Sequence, residues 1–376
     1  MRYTDLGVTM TQSNDTTQTR KSEQFPCPSC GGNMHFDPET GHLKCPFCDN
    51  VIDFDEGDEE IKEYNFFAIS EEDVSQDWSE GNLTIKCENC GAQTVVGSET
   101  MSQFCTFCGS SHIVQVQEFT GIAPESLLPF SIPKEKAMEC FKTWIKKRWF
   151  APRALKKEDR NERLKGTYVP YWTYDADLTY AYTAQAGHYY YVTRTRMVDG
   201  EMKTERVRKI RWETVHGNGA NFFDDIQVSA TSKLTKRYVD RLEPFNLSKL
   251  TSYKGEFLSG FQAERYSVNV KQGWEEAKQE INAYLHSEVV RKVHADEVRN
   301  VRIQIAYNDV RYKHLLVPVW LSSYLYRDKT YQVMINGDNG KVAGKFPVSF
   351  WKVFFVVLAS LAAIGLIIWL GMSYAS

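Results

Sequence analysis

Residues 25–48 read FPCPSCGGNMHFDPETGHLKCPFC, and residues 87–108 read CENCGAQTVVGSETMSQFCTFC. Each stretch holds two CxxC pairs: Cys27 and Cys30 with Cys45 and Cys48, then Cys87 and Cys90 with Cys105 and Cys108. Fourteen residues separate the inner cysteines in both, so eight of the nine cysteines belong to one small unit written twice. A CxxC turn presents two thiolates on one side, and two such turns complete a tetrahedron around a metal ion. The spacer suits a hairpin, predicted as short strands at 33–36 and 41–44 flanking a turn at 37–40. Gly31, Gly32, Gly91 and Gly109 supply the backbone freedom that chain reversal beside a metal requires.

A unit of this size cannot hold itself together by apolar burial, so a metal must do it. The expectation is two Zn2+ ions, one per unit, held by Cys27, Cys30, Cys45, Cys48 and by Cys87, Cys90, Cys105, Cys108. Two alternatives stay open: iron in the same four-thiolate cage, and disulfides, against which a reducing compartment argues. Four thiolates already fill the tetrahedron, so His42 is expected to be an exposed turn residue. Cys140, beside Phe141 and Trp144 on a predicted helix, is expected to be a buried, inert thiol.

At the other end of the chain, residues 353–372 are twenty uncharged residues dominated by Val, Leu, Ile, Phe and Ala. As a helix they span roughly 30 Å, the thickness of a bilayer core. Lys341, Lys345 and Lys352 precede this segment and no charged side chain follows it. The positive-inside rule then predicts a single-pass, tail-anchored protein of the cell membrane with everything before Lys352 in the cytoplasm. Trp351, Trp369 and Tyr374 fall where head groups would lie. Ala359 and Ala363 form a small-xxx-small pair that suits helix–helix contact but is common in any membrane span.

Between these ends the charge is uneven although the net charge is only −3. Residues 50–82 hold twelve acidic side chains and one lysine, whereas residues 134–165 hold twelve basic and five acidic ones. The expected organisation is multidomain: a disordered tail (1–24) with no signal peptide, a first zinc ribbon (25–50), an acidic linker (51–83), a second zinc ribbon (84–116), an α+β domain (117–348) and a transmembrane anchor (349–376). The α+β domain is predicted to combine an antiparallel sheet with two amphipathic helices. The first, near 133–149, buries Ala137, Phe141, Trp144 and Ile145; the second, near 273–294, buries Trp274, Ala277, Ile281, Leu285 and Val289.

From Tyr168 to Val228, aromatic and β-branched runs punctuated by turn signals at Asp199 and Gly200 predict an antiparallel meander. Further strands are expected near 301–307 and 315–326, then a hairpin across 337–340. The VPYW motif at 169–172 and VPVW at 317–320 invite comparison as two related halves; chance similarity of aromatic strands is the alternative. Lys134, Lys142, Lys146, Lys147, Arg148, Arg153, Lys156, Lys157 and Arg160 beside Trp149 and Phe150 make a basic surface. A solvated face, the chain's own acidic linker, anionic lipid and nucleic acid all suit it.

FPCPSCGG and CPFC resemble the zinc ribbon of transcription factor TFIIB. With PESLLPF (124–130), GTYVPYW (166–172), LLVPVW (315–320), NGDNGKVAGKFP (336–347) and the terminal apolar segment, the chain resembles a family of bacterial tail-anchored membrane proteins carrying two such ribbons. That resemblance covers most of the chain after Phe25 and implies a role in membrane stress with a phage-shock protein A homologue as partner. The residues themselves offer no GxxxxGK[ST] loop, serine elbow or paired-histidine helix, so no enzyme is expected. His188, His216, His286 and His314 are scattered. The leading expectation is a non-catalytic adaptor that brings a cytosolic partner to the bilayer; the alternative is a membrane-tethered nucleic-acid binder.

Overall fold

In the computed structural model, which describes residues 25–54, 60–70, 83–96, 104–116, 121–152, 164–198, 201–326 and 329–375, the chain opens with an antiparallel sheet. Its strands are β1 (His35–Asp37), β2 (His42–Lys44) and β3 (Val51–Ile52). Short strands β4 (Tyr64–Asn65), β5 (Leu83–Cys87), β6 (Gln93–Val96), β7 (Ile113–Val116) and β8 (Ser126–Leu127) lead to helix α1 (Lys134–Lys146). Two long strands follow, β9 (Lys165–Val198, 34 residues) and β10 (Glu201–Ser229, 29 residues). After α2 (Lys236–Val239), β11 (Thr251–Ser252) and β12 (Gln262–Glu264) come helix α3 (Val270–Lys292) and a third long strand, β13 (Glu297–Tyr326). The chain closes with β14 (Lys329–Asn336), β15 (Val342–Gly344) and α4 (Phe350–Ala375).

Strands β4 to β15 form one twelve-stranded sheet. The expected meander is absent: β9 runs unbroken between β10 on one side and β13 on the other, and the two strands expected at 301–326 are one. The expected strand limits at 301 and 307 coincide with bulges at Arg299/Arg302 and Tyr307/Asp309, and a third bulge lies at Phe223/Ile226. A bulge inserts a residue and bends the strand without ending the ladder. Asp199 and Gly200, the expected turn, lie outside the described residues, but Val198 pairs with Glu201 across it. The sheet is also mixed rather than antiparallel, because β12 runs parallel to β9 and β8 parallel to β13.

The VPYW and VPVW motifs lie side by side, with Val169 opposite Val317 and Tyr168 opposite Pro318. Proline has no N–H for a ladder and is confined to gaps in pairing. Pro170 sits in such a gap, between the β9 residues that pair with β12 and those that pair with β10. Pro318 sits in the corresponding gap of β13, between its β8 and β14 partners. The carbonyls of both accept from later backbone, Pro170 from the Ala230 N–H and Pro318 from the Gly337 N–H. The succession short parallel strand, helix, long strand, returning strand thus occurs twice, as β8–α1–β9–β10 and β12–α3–β13–β14.

Period-two alternation divides the core between the two sides of this sheet. Trp172, Tyr174, Ala176 and Leu178 face α3, which buries Trp274, Ala277, Ile281, Leu285 and Val289. The helix begins three residues before its expected start because Asn269 and Gln272 form a capping box. Val169, Tyr171, Val317 and Val319 face the other way, towards Leu234, Leu242, Phe245 and the second cysteine unit. Helix α1 buries Ala137, Phe141 and Ile145, with Trp144 only partly covered, and ends at Lys146 rather than Trp149.

Part of the acidic stretch packs on the body. Strand β4 pairs with Arg311 and Tyr312 of β13, and Lys313 holds Glu63 at 3.0 Å and Asp225 at 2.7 Å. The acidic residues at 55–59 and 71–82 lie outside the described residues, as do Arg153, Lys156, Lys157 and Arg160 of the expected basic surface. Helix α4 is long and apolar enough to cross a membrane, and none of Phe350–Leu370 is buried against the rest of the chain. Its root is tied down: the Lys352 ammonium donates to the carbonyls of Trp149 and Ala151 at 2.7 and 2.8 Å.

Candidate metal centres

The eight cysteines converge in two groups of four, Cys27, Cys30, Cys45, Cys48 and Cys87, Cys90, Cys105, Cys108, with the sulfurs of each group all within 4.8 Å of one another. Every CxxC closes the same way. The residue after the second cysteine donates its N–H to the carbonyl of the first, from Gly31 to Cys27, Asp49 to Cys45, Gly91 to Cys87 and Gly109 to Cys105. All four of those residues have positive φ, between 57° and 74°. Glycine was anticipated at three of them; the fourth is Asp49, which no glycine marks in the sequence. Gly32 serves otherwise: a Cβ there would lie 2.5 Å from the Phe47 ring.

Within each group the closest sulfurs are Cys27 and Cys48 at 3.6 Å, Cys30 and Cys45 at 3.5 Å, Cys87 and Cys108 at 3.6 Å, and Cys90 and Cys105 at 3.7 Å. A disulfide would need about 2.05 Å, whereas four sulfurs about 2.3 Å from a central zinc stand about 3.8 Å apart. These are therefore thiols spaced as the edges of a metal tetrahedron, and each group could hold one metal ion. Asn50 and Asn89 point amide N–H groups at Cys27 and Cys108, the outer contacts that orient ligating sulfur.

The electrostatics argue for a cation. Burial opposes ionisation of Cys27, yet the N–H groups of Cys30 and Ser29, with Cys48 and Asn50, bring its thiol down to about 6. The Asn50 N–H favours a thiolate at Cys48, but the sulfur of Cys30, burial and the sulfurs of Cys27 and Cys45 push it up to about 12. In the second group the Cys105 thiol donates to Cys90 and draws it down to about 5, against burial; the same contact, with burial, pushes Cys105 up. Four thiolates this close cannot coexist on their own, and a bound dication removes the conflict.

Both groups are built into the body. Phe36 of the first unit packs on Phe54, Phe257 and Phe261, and the Ser259 hydroxyl donates to the Met34 carbonyl at 2.5 Å. The second unit joins the large sheet through β6 and β12, and Ser323 and Gln332 donate to the Phe107 carbonyl. His42 belongs to neither centre; it lies on β2 rather than in a turn, with Nδ1 3.3 Å from Asp53. Cys140 is partly buried on α1 against Gly340, away from both groups.

The four scattered histidines singled out in the sequence do not meet. His188 faces Glu213 at 3.3 Å on the sheet surface, His216 and His286 are exposed, and His314 is buried with Nδ1 2.8 Å from the Ile122 carbonyl. Burial pushes His314 down to about 4, so its imidazole is neutral.

No family model matches the chain, and no solved structure matches it. It is similar to the uncharacterized protein YdjG of Bacillus subtilis (strain 168), with 29% identity over 339 residues that cover 88% of this chain and 91% of that protein.

Proposed function

We propose that this protein is a non-catalytic adaptor in which two structural zinc ions stabilise ribbon-type modules, α4 spans the cell membrane, and the cytoplasmic body recruits a cytosolic protein. Zinc is the metal that four soft thiolates at tetrahedral spacing favour, and nothing in such a closed site is left open for a substrate. One observation carries the reading: both cysteine groups and the root of α4 gather at the start of β9, while its far end, roughly 100 Å along the strand at ~3.3 Å per residue, projects as an exposed hairpin. That is how a platform holds a binding surface away from its anchor. The phage-shock protein A class implied by the family resemblance is the first partner to test.

The basic surface fits this arrangement as a lipid contact. Arg148 stacks on Trp144 at 4.8 Å, the Ser349 N–H donates to the Phe150 carbonyl, and Lys146 and Lys147 stand at the same root of α4. Basic groups there would meet anionic head groups at about 1 kcal/mol each. The adaptor reading is tested by incubating full-length protein in lipid vesicles with host cytosol and recovering the vesicles. Specific retention of a cytosolic protein is expected, and retention of none would remove the reading.

A further inference from the structure

Glu297, the first residue of β13, pairs with Gly187. Beyond that point the ladder continues with two strands only, residues 188–198 and 201–211, and Tyr189 at the base of this arm donates its N–H to Asp296 and its hydroxyl to Glu297. Eleven residues per strand give it a reach of roughly 35 Å. From Tyr190 to Met197 and from Glu201 to Lys209 every residue is exposed except the cross-strand pair Val192 and Val207, which is half-buried. Residues 188–211 carry seven basic and three acidic side chains in a chain whose net charge is −3, so a positive arm projects from an otherwise acidic protein.

Register sorts these side chains onto two faces, because directly paired residues share a face and successive ones alternate. Tyr189, Tyr191, Arg206, Arg208, Met197 and Met202 stand on one. Glu201, Glu205 and both lysines of the arm, Lys203 and Lys209, stand on the other, where Glu205 pairs with Arg196 at 3.7 Å. On the first face Arg206 lies over the Tyr191 ring at 5.0 Å and Arg208 over Tyr189 at 4.3 Å. Met197 and Met202, paired near the end of the ladder, are 71% and 74% exposed. Arginine, tyrosine and methionine without lysine is the composition that protein interfaces concentrate. A nucleic-acid surface would be wetter and would spread lysine and arginine over whatever faces the phosphates, with no use for two exposed thioethers.

We propose that this face of the arm docks an acidic protein partner, whose carboxylates pair with Arg206 and Arg208 while an apolar side chain covers Met197 and Met202. The proposal rests on the adaptor reading and gives its partner a chemistry. The test uses full-length protein in nanodiscs of neutral lipid, with anisotropy of three labelled probes: a Glu-Glu-Leu repeat peptide, its Gln-Gln-Leu counterpart and a twenty-base-pair duplex. The glutamate peptide is expected to bind at least tenfold tighter than the glutamine one. The Arg206→Glu, Arg208→Glu double variant, with unchanged circular dichroism and metal content, is expected to lose at least tenfold, and Arg194→Glu on the opposite face less than threefold. Failure of the glutamate peptide to bind, its indifference to the double variant, or tighter binding of the duplex at the same salt would overturn the proposal. Vesicle recovery separates the two readings: a cytosolic protein retained equally by wild type and double variant removes the arm and leaves the adaptor, whereas retention by neither removes both.

Discussion

Asp49 occupies the left-handed conformation that three glycines occupy in the other cysteine turns, with φ of 57° and an N–H that still reaches the Cys45 carbonyl at 3.0 Å. An L side chain there costs roughly 1 kcal/mol, and the exposed contact of Asp49 with Lys44 at 3.4 Å returns little. Asp49→Gly is therefore expected to stabilise the first unit by about 0.5–1 kcal/mol and Asp49→Val to weaken it, both read from chelator competition. Cys45→Ser is expected to lower bound metal from two ions per chain to one, measured by elemental analysis, and to unfold the first unit while the second persists. The eight thiols were legible because CxxC is a local pattern; Asp49 was not, because only its backbone angle marks it. His314 was legible only as a scattered histidine. Its pKa is depressed to about 4 from an ordinary 6.5, so the folded state binds fewer protons than the unfolded one. Its contribution is present above pH 6.5 and is lost as pH falls towards 4, on the order of 3 kcal/mol. His314→Asn, which keeps a donor for the Ile122 carbonyl, is expected to flatten the loss of stability between pH 6.5 and 4.5 in denaturant titrations.

Helix α3 shows how much an element reveals when its period is intact: the stripe read from Trp274 to Val289 is the buried face. Ile281 is fully buried in the apolar cluster between α3 and the sheet, so Ile281→Ala is expected to cost about 3 kcal/mol in thermal or denaturant unfolding. Lys271→Ala on the exposed side is expected to stay within about 0.5 kcal/mol. The strands were less legible for a physical reason. Period-two alternation shows that a segment is extended, but its end is set by where a partner strand stops, and the bulges at Arg299/Arg302 and Tyr307/Asp309 mimic ends without being them. The arm illustrates the same limit. Its alternation is continuous through Gly187, and what changes there is the loss of β13, a partner more than a hundred residues away. The parallel pairing of β8 with β13 likewise leaves no trace in either local sequence.

At the scale of the whole molecule the cysteine units and the sheet share their interior, since Cys27, Met34 and Phe36 belong to one apolar cluster with Tyr168 and Trp320, and Cys87, Cys105 and Phe107 to another with Val169 and Val317. Metal loss should therefore be felt in the body as well as in the units. Helix α4 stands in the opposite relation: among the described residues it contributes none to the three clusters, and none of Phe350–Leu370 is buried. The last apolar side chains before it that pack on the body are Phe346, against Trp144 at 5.9 Å, and the buried Pro347. A chain ending at Pro347 keeps these contacts and loses the tethers of Ser349 and Lys352 to the 149–151 backbone, hydrogen bonds worth about 1 kcal/mol each, together with the contact of Lys352 with the Trp149 ring at 5.8 Å. It is expected to unfold cooperatively within about 3 kcal/mol of the full chain, to retain both metal ions, and to remain in the supernatant when the full chain floats with liposomes. Non-cooperative unfolding of the truncated chain would instead make α4 part of the folded core, and equal flotation of both would move the membrane contact to the basic surface around Lys146 to Arg148.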